Sequence, residues 1–99
     1  MITVPELREK RGNYCEHCNF RQGTQRHHVF FGRKKGEPYF DDERNLMLVC
    51  AYCHVEKAVI NGYKLKCVFW VRQCKRYGKD SMMEYWRNAP LVVKERFWA

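Results

Sequence analysis

Two Cys-x-x-Cys pairs, separated by 31 residues, constrain the fold of this chain more than any other feature. Their members are Cys15, Cys18, Cys50 and Cys53. Four thiolates presented by two such turns suit a tetrahedral structural zinc ion. We therefore expect one zinc to tie together both ends of the intervening segment. A mixed site that uses His17 or His27 in place of one cysteine is the main alternative, but two matched pairs favour the four-cysteine site.

A metal staple fits a chain of this size. Ninety-nine residues make one domain, and so short a chain buries only about two-thirds of the surface that its unfolded form exposes. The N-terminal residues 1–8 contain no apolar signal-peptide core, and no apolar run reaches membrane-spanning length. We therefore expect a cytoplasmic protein without a membrane partner, in a compartment where clustered cysteines bind metal. The other two cysteines, Cys67 and Cys74, are interpreted as small buried hydrophobes.

The charge of the chain favours an anionic partner. Lysine and arginine total 19 and acidic residues 11, which gives a formal net charge of +8. A nucleic acid is the expected partner of so basic a small domain. Charge alone does not distinguish this from a soluble basic protein.

Three short motifs lie between and just after the cysteine pairs. They are the run Arg26-His27-His28-Val29-Phe30, the pair Asn45-Leu46, and His54 directly after the second cysteine pair. This order resembles the HNH endonucleases, also called ββα-metal or His-Me finger nucleases. The resemblance covers residues 14 to 60, and it needs several rare residues in a fixed order.

The resemblance implies an α+β fold, with a small ββα-metal core followed by C-terminal helices over residues 63–98. It implies that His27 and His54 bind a divalent metal, that His28 is the general base, and that Asn45 braces the loop that orients this base. The implied reaction is metal-dependent hydrolysis of DNA with 5′-phosphate products, either as nicking or as weakly sequence-specific double-strand cleavage. Small free-standing proteins of this kind resemble those encoded by phages or prophages, where they nick DNA or assist packaging, so the resemblance makes packaging machinery one candidate protein partner. Oligomeric state is not readable from the sequence.

Two imidazole ligands predict a preference among catalytic metals. Mg²⁺ prefers oxygen ligands, whereas Mn²⁺ and Ni²⁺ accept nitrogen more readily. We expect Mn²⁺ or Ni²⁺ to support activity at least as well as Mg²⁺.

Basic residues flank the histidine motif and are candidate DNA contacts. They are Arg26, Arg33, Lys34, Lys35 and Arg44. Arginine can hold a phosphate through two hydrogen bonds. A solubilising loop is an equally weighted alternative for residues 33–35. The acidic run Asp41-Asp42-Glu43 is either a metal reserve or a solvated loop.

Local signals predict the remaining elements. A capping box of Thr3 and Glu6 opens a helix that ends at Gly12. Strands are expected at residues 29–31 and 46–49, and helices at 55–60, 63–77, from Ser81 through residue 86, and at 91–98. The apolar stripe of the 63–77 helix is expected to consist of Tyr63, Cys67, Trp70, Val71, Cys74 and Tyr77.

Two other functions compete with the nuclease. A non-catalytic, zinc-stabilised DNA-binding module would explain the charge and the cysteines, but not the complete set of base, brace and ligands. A protein-interaction adaptor built on a zinc knuckle would explain neither the charge nor the histidines.

Overall fold

The fold combines helices with a two-stranded antiparallel sheet, which confirms the predicted α+β class. A computed structural model describes residues 1–32, 38–57 and 62–89. Its main elements are α1 (Val4–Arg11), β1 (Gln25–His28), β2 (Leu46–Val49), α2 (Gly62–Tyr77) and α3 (Lys79–Arg87). Two 3₁₀ turns, Pro38–Asp41 and Glu43–Asn45, precede β2, and Cys53–Lys57 forms a short π-helix after it. Within these described ranges, no helix is long and apolar enough to cross a membrane.

Helix α1 is delimited by the predicted capping residues. The Thr3 hydroxyl accepts the Glu6 backbone N–H, and the Glu6 carboxylate accepts the Thr3 N–H. At the other end, Gly12 has φ +95°, a conformation that glycine adopts without a Cβ penalty. The capping box and the glycine stop therefore fix the two ends of α1.

Strand β2 lies at the centre of the molecule and is buried on both faces. Its residues alternate between two apolar clusters, because successive side chains of a strand point to opposite faces. Leu46 and Leu48 pack with Leu7 of α1, while Met47 and Val49 join the main core. Both clusters thus meet on one strand, which positions the segments on either side of it.

Strand β1 lies earlier in the chain than predicted. It pairs with β2 from Gln25↔Val49 to His28↔Leu46 and ends there. The expected strand at residues 29–31 is wrong, since Val29, Phe30 and Phe31 leave the sheet and are buried in the core. Their apolar, β-like composition reflects burial, and it anchors the chain immediately after His28.

Helix α2 buries a different face from the one predicted. Leu65, Phe69 and Gln73 are its buried residues, at i, i+4 spacing. The prediction was wrong for Tyr63, Cys67 and Val71, which are exposed. The remaining predicted members, Trp70, Cys74 and Tyr77, are partly buried against the core. A polar residue on the inner face and apolar residues on the outer face together obscured the helical pattern.

The last described helix also begins earlier than predicted. Helix α3 starts at Lys79 after Gly78, whose φ is +89°, and Ser81 lies inside it. The carbonyl and hydroxyl oxygens of Ser81 accept hydrogen bonds from Arg44. The predicted helix at 91–98 lies outside the described residues, as do residues 58–60 of the predicted 55–60 helix.

Candidate functional site

The two cysteine pairs come together as the sequence predicts. One Sγ atom from each of the four cysteines lies within 4.8 Å of all the others, and the Sγ atoms of Cys18 and Cys50 are 3.9 Å apart. Backbone N–H groups support the sulfurs: His17 and Cys18 donate to Cys15 Sγ, and Cys53 donates to Cys50 Sγ, each at 3.4 Å. The geometry therefore suits one metal ion such as zinc.

The thiols of this cluster differ in acidity. Burial raises the pKa of Cys18, but hydrogen bonds from the backbone of Phe20 and Arg21 outweigh it and lower that pKa to about 6. Burial and the neighbouring sulfurs raise the pKa of the Cys53 thiol. Because the thiolate is the metal-binding form, Cys18 is ready to bind at neutral pH and Cys53 needs the ion to displace its proton.

A buried carboxylate beside the cysteines joins the cluster to both terminal parts of the fold. Glu16 accepts the Leu48 backbone N–H at 2.7 Å and pairs with Arg11 at 3.1 Å, where the two side chains are 5% and 2% exposed. Arg72 and Arg76 of α2 also contact this carboxylate. Breaking such a buried pair is costly, since a charge remains uncompensated. Nothing in the local sequence around Glu16 signals this role.

Two of the predicted metal-binding histidines face each other. The ring centres of His27, on β1, and His54, on the π-helix, are 5.3 Å apart and nearly perpendicular. Burial, together with the nearby His54 and His28, lowers the pKa of His27 to about 4. His27 is therefore neutral at physiological pH, which is the form that binds metal. Both side chains carry nitrogen donors of the kind that divalent transition metals accept, so the pair would hold such an ion.

The predicted base, His28, has a partner that the sequence did not identify. Its Nε2 lies 2.9 Å from Asp41 Oδ1, and both side chains are about four-fifths buried. A contact in which the Asp41 carboxylate accepts from Nε2 requires the Nε2–H tautomer of the neutral ring, which carries its lone pair on Nδ1. The sequence predicts a metal reserve or a solvated residue at Asp41, because a loop without periodicity gives no sign of which side chain turns inward.

Asn45 holds the chain that follows His28. It is fully buried, and its Oδ1 accepts the backbone N–H groups of Phe30 and Phe31 at 2.8 and 3.1 Å. Its Nδ2 donates to the carbonyls of Phe31 and Phe40, the latter next to Asp41. One side chain thus joins the segment after His28 to the turn that carries Asp41.

The predicted DNA-binding residues lie in three different settings. Arg26 donates to the Ile2 carbonyl at 2.8 Å. Arg44 pairs with Asp42 at 2.7 Å, donates to Ser81 and lies over the Tyr85 ring. Its donors are largely occupied within the chain. Residues 33–35 fall outside the described ranges.

No protein-family model, curated protein or solved structure matches the chain.

Proposed function

We propose that the protein is a metal-dependent endonuclease of the HNH type that hydrolyses DNA phosphodiester bonds. The main support for the proposal is the arrangement of side chains around His28. A His27–His54 ring pair adjoins it, Asp41 accepts from its Nε2, and Asn45 braces the chain that follows it.

The His28–Asp41 contact fits a general base and the residue that orients it. Phosphodiester hydrolysis requires a water made nucleophilic, and a positioned imidazole can remove its proton. The contact with Asp41 fixes the ring and leaves Nδ1 free to accept that proton. Asp41 acts through His28 and is a positioning residue.

The His27–His54 pair explains why the proposed cleavage would depend on a divalent metal. A divalent ion bound by His27 and His54 would supply positive charge to the phosphate oxygens and to the leaving 3′ oxygen. Two protein nitrogens leave other coordination positions for water and phosphate, in contrast to the four-cysteine cluster, whose donor set is complete. The imidazole donors favour Mn²⁺ or Ni²⁺ over Mg²⁺.

Conversion of supercoiled plasmid to open-circle and linear DNA tests this proposal. The parent protein and its His28→Ala variant are compared in Mg²⁺, Mn²⁺ or Ni²⁺, with His17→Ala as a matched histidine control. We expect cleavage by the parent and the control, and its loss in His28→Ala. Equal cleavage by parent and His28→Ala would refute the base assignment, and absence of cleavage in every metal would refute the nuclease.

A non-catalytic DNA-binding module is the second candidate, favoured by the +8 charge and the closed cysteine cluster. It predicts plasmid retardation on a gel without strand breakage in any metal. It assigns no purpose to the His28–Asp41 contact.

A further inference from the structure

The outer side of the four-cysteine cluster carries large aromatic rings that face solvent. Phe20 is 65% exposed and Tyr52 is 48% exposed. Phe20 follows the first cysteine pair, and Tyr52 lies inside the second. Each ring therefore belongs to a different half of the metal cluster.

Arg21 connects the two rings. Its guanidinium carbon lies 4.4 Å from the centre of the Phe20 ring and 4.8 Å from the centre of the Tyr52 ring. These distances fall within the range of cation–π attraction. The guanidinium thus joins the two exposed rings into one positively charged aromatic surface, which we call the aromatic–arginine platform.

The platform is held in place by the cluster beneath it. The Arg21 carbonyl accepts the Cys15 N–H at 2.7 Å, and the backbone groups of Phe20 and Arg21 hydrogen-bond Cys18. Tyr52 is fixed between Cys50 and Cys53 by the chain itself. The platform is thus preorganised on a rigid base, which reduces the entropy that a ligand must remove on binding.

We propose that the platform binds unpaired nucleobases of single-stranded nucleic acid. Flat rings and a guanidinium plane stack on any base, and the positive charge suits the adjoining phosphates. Duplex DNA covers both faces of its bases, so it offers nothing for these rings to stack on. The choice of nucleic acid as ligand rests on the proposed function, but no cleavage is needed.

The charge of the chain decides between nucleic acid and an apolar protein partner. Aromatic residues and arginine are enriched in both kinds of interface. However, the formal charge of +8 and the central position of Arg21 favour a polyanion. A protein partner is the outcome that the experiment below is designed to expose.

The experiment measures binding of a fluorescent single-stranded oligothymidine and of a duplex of equal length, in a His28→Ala background that prevents cleavage. Phe20→Ala and Tyr52→Ala are compared with Tyr63→Ala, a matched tyrosine on α2 that is 60% exposed. We expect each platform variant to lower single-strand affinity by on the order of tenfold. The affinity of the platform variants for duplex should change by less than about twofold, because duplex does not stack on the platform. The affinity of Tyr63→Ala for single strands should likewise change by less than about twofold, because Tyr63 is not part of the platform.

Two further variants separate stacking from charge and from folding. Arg21→Lys keeps the charge but loses the planar group, so its single-strand affinity should fall while duplex affinity stays. Tyr52→Phe keeps the ring and should bind like the parent. Unchanged single-strand affinity in Phe20→Ala and Tyr52→Ala, or an equal loss for duplex, would overturn the proposal and indicate a protein surface or a general charge effect.

Failure of this proposal and failure of the nuclease give different results. If the nuclease fails, plasmid stays intact in every metal while the ring substitutions still lower single-strand affinity. If the platform fails, the ring substitutions leave binding unchanged while the parent still cleaves plasmid.

Discussion

Two groups of potential metal ligands lie side by side in this fold, and Cys53 and His54 are consecutive residues that belong to one group each. The cysteine group brings four donors within 4.8 Å, and three of its members are buried. The histidine group offers two half-buried rings with centres 5.3 Å apart. A complete, buried donor set stabilises a fold, whereas an incomplete, accessible one leaves positions for substrate. The difference predicts that changes in the two groups will have different consequences.

The largest expected effect separates these neighbouring residues. Cys53→Ser should abolish cooperative folding, because structural zinc sites contribute on the order of 10 kcal/mol. His54→Ala should keep the fold and lose metal-dependent cleavage. Thermal melting followed by circular dichroism, together with the zinc content of each purified variant, checks both outcomes. Similar melting curves for the two variants would contradict the assignment of a structural role to the cysteines and a catalytic role to the histidines.

Asn45 tests the contrast between the two groups, because it supports the histidine group but is itself fully buried, as a structural residue would be. Asn45→Ala removes four hydrogen bonds to the backbone and leaves buried groups unpaired. We expect a loss of about 3 kcal/mol in the free energy of unfolding. Urea denaturation measures it, with the exposed Asn88→Ala as control. A loss no larger than that of the control would contradict the brace.

The low pKa of His27 predicts how stability changes with acidity. Its folded pKa of about 4 lies below the usual 6.5, so between these values the unfolded chain binds more protons. This residue therefore lowers stability as pH falls from about 6.5 to 4, by up to about 2 kcal/mol after allowance for its partial exposure. Urea midpoints across this range should fall less steeply for His27→Gln than for the parent. Parallel pH profiles would show that His27 does not carry the effect.

The smallest expected effect concerns catalytic positioning. Asp41→Asn weakens the charge-assisted hydrogen bond to His28, so kcat should fall by about tenfold with little change in KM. Asp42→Asn is the matched control, because Asp42 pairs with Arg44 and not with His28. Nicking rates at several plasmid concentrations measure both parameters. Equal kcat values for the two variants would mean that Asp41 does not orient the base.

Features set by neighbours in the chain were predictable. The Thr3–Glu6 capping box, the Gly12 stop and the bounds of β2 at Leu46–Val49 follow from short-range patterns, and the structure has them as expected. The cysteine cluster was predictable because spacing alone restricts what two matched pairs can form.

Features set by distant partners were not predictable. Arg11 lies in the last turn of a strongly charged helix, yet it is buried because Glu16 and the Leu46 carbonyl accept hydrogen bonds from its guanidinium. Asp41 lies beside His28 because Asn45 donates to the carbonyls of both Phe31 and Phe40 and so holds the two segments together. In α2, Gln73 lies inside since the carbonyls of Glu43 and Arg44 accept its amide. Each outcome depends on a tertiary contact that no local pattern encodes.

The arginines gathered around Glu16 have a consequence for how binding would respond to ionic strength. Affinity for DNA weakens with salt in proportion to the number of phosphates that basic side chains neutralise, since each contact releases a bound counterion. Arg11 is 2% exposed and can release none, and Arg72 and Arg76 share the same internal carboxylate. The number of lysine and arginine side chains that can contact phosphate is therefore smaller than the number in the sequence. If the protein binds DNA as proposed, the salt dependence of its affinity will report the number of basic residues at the surface, and not the total number in the sequence.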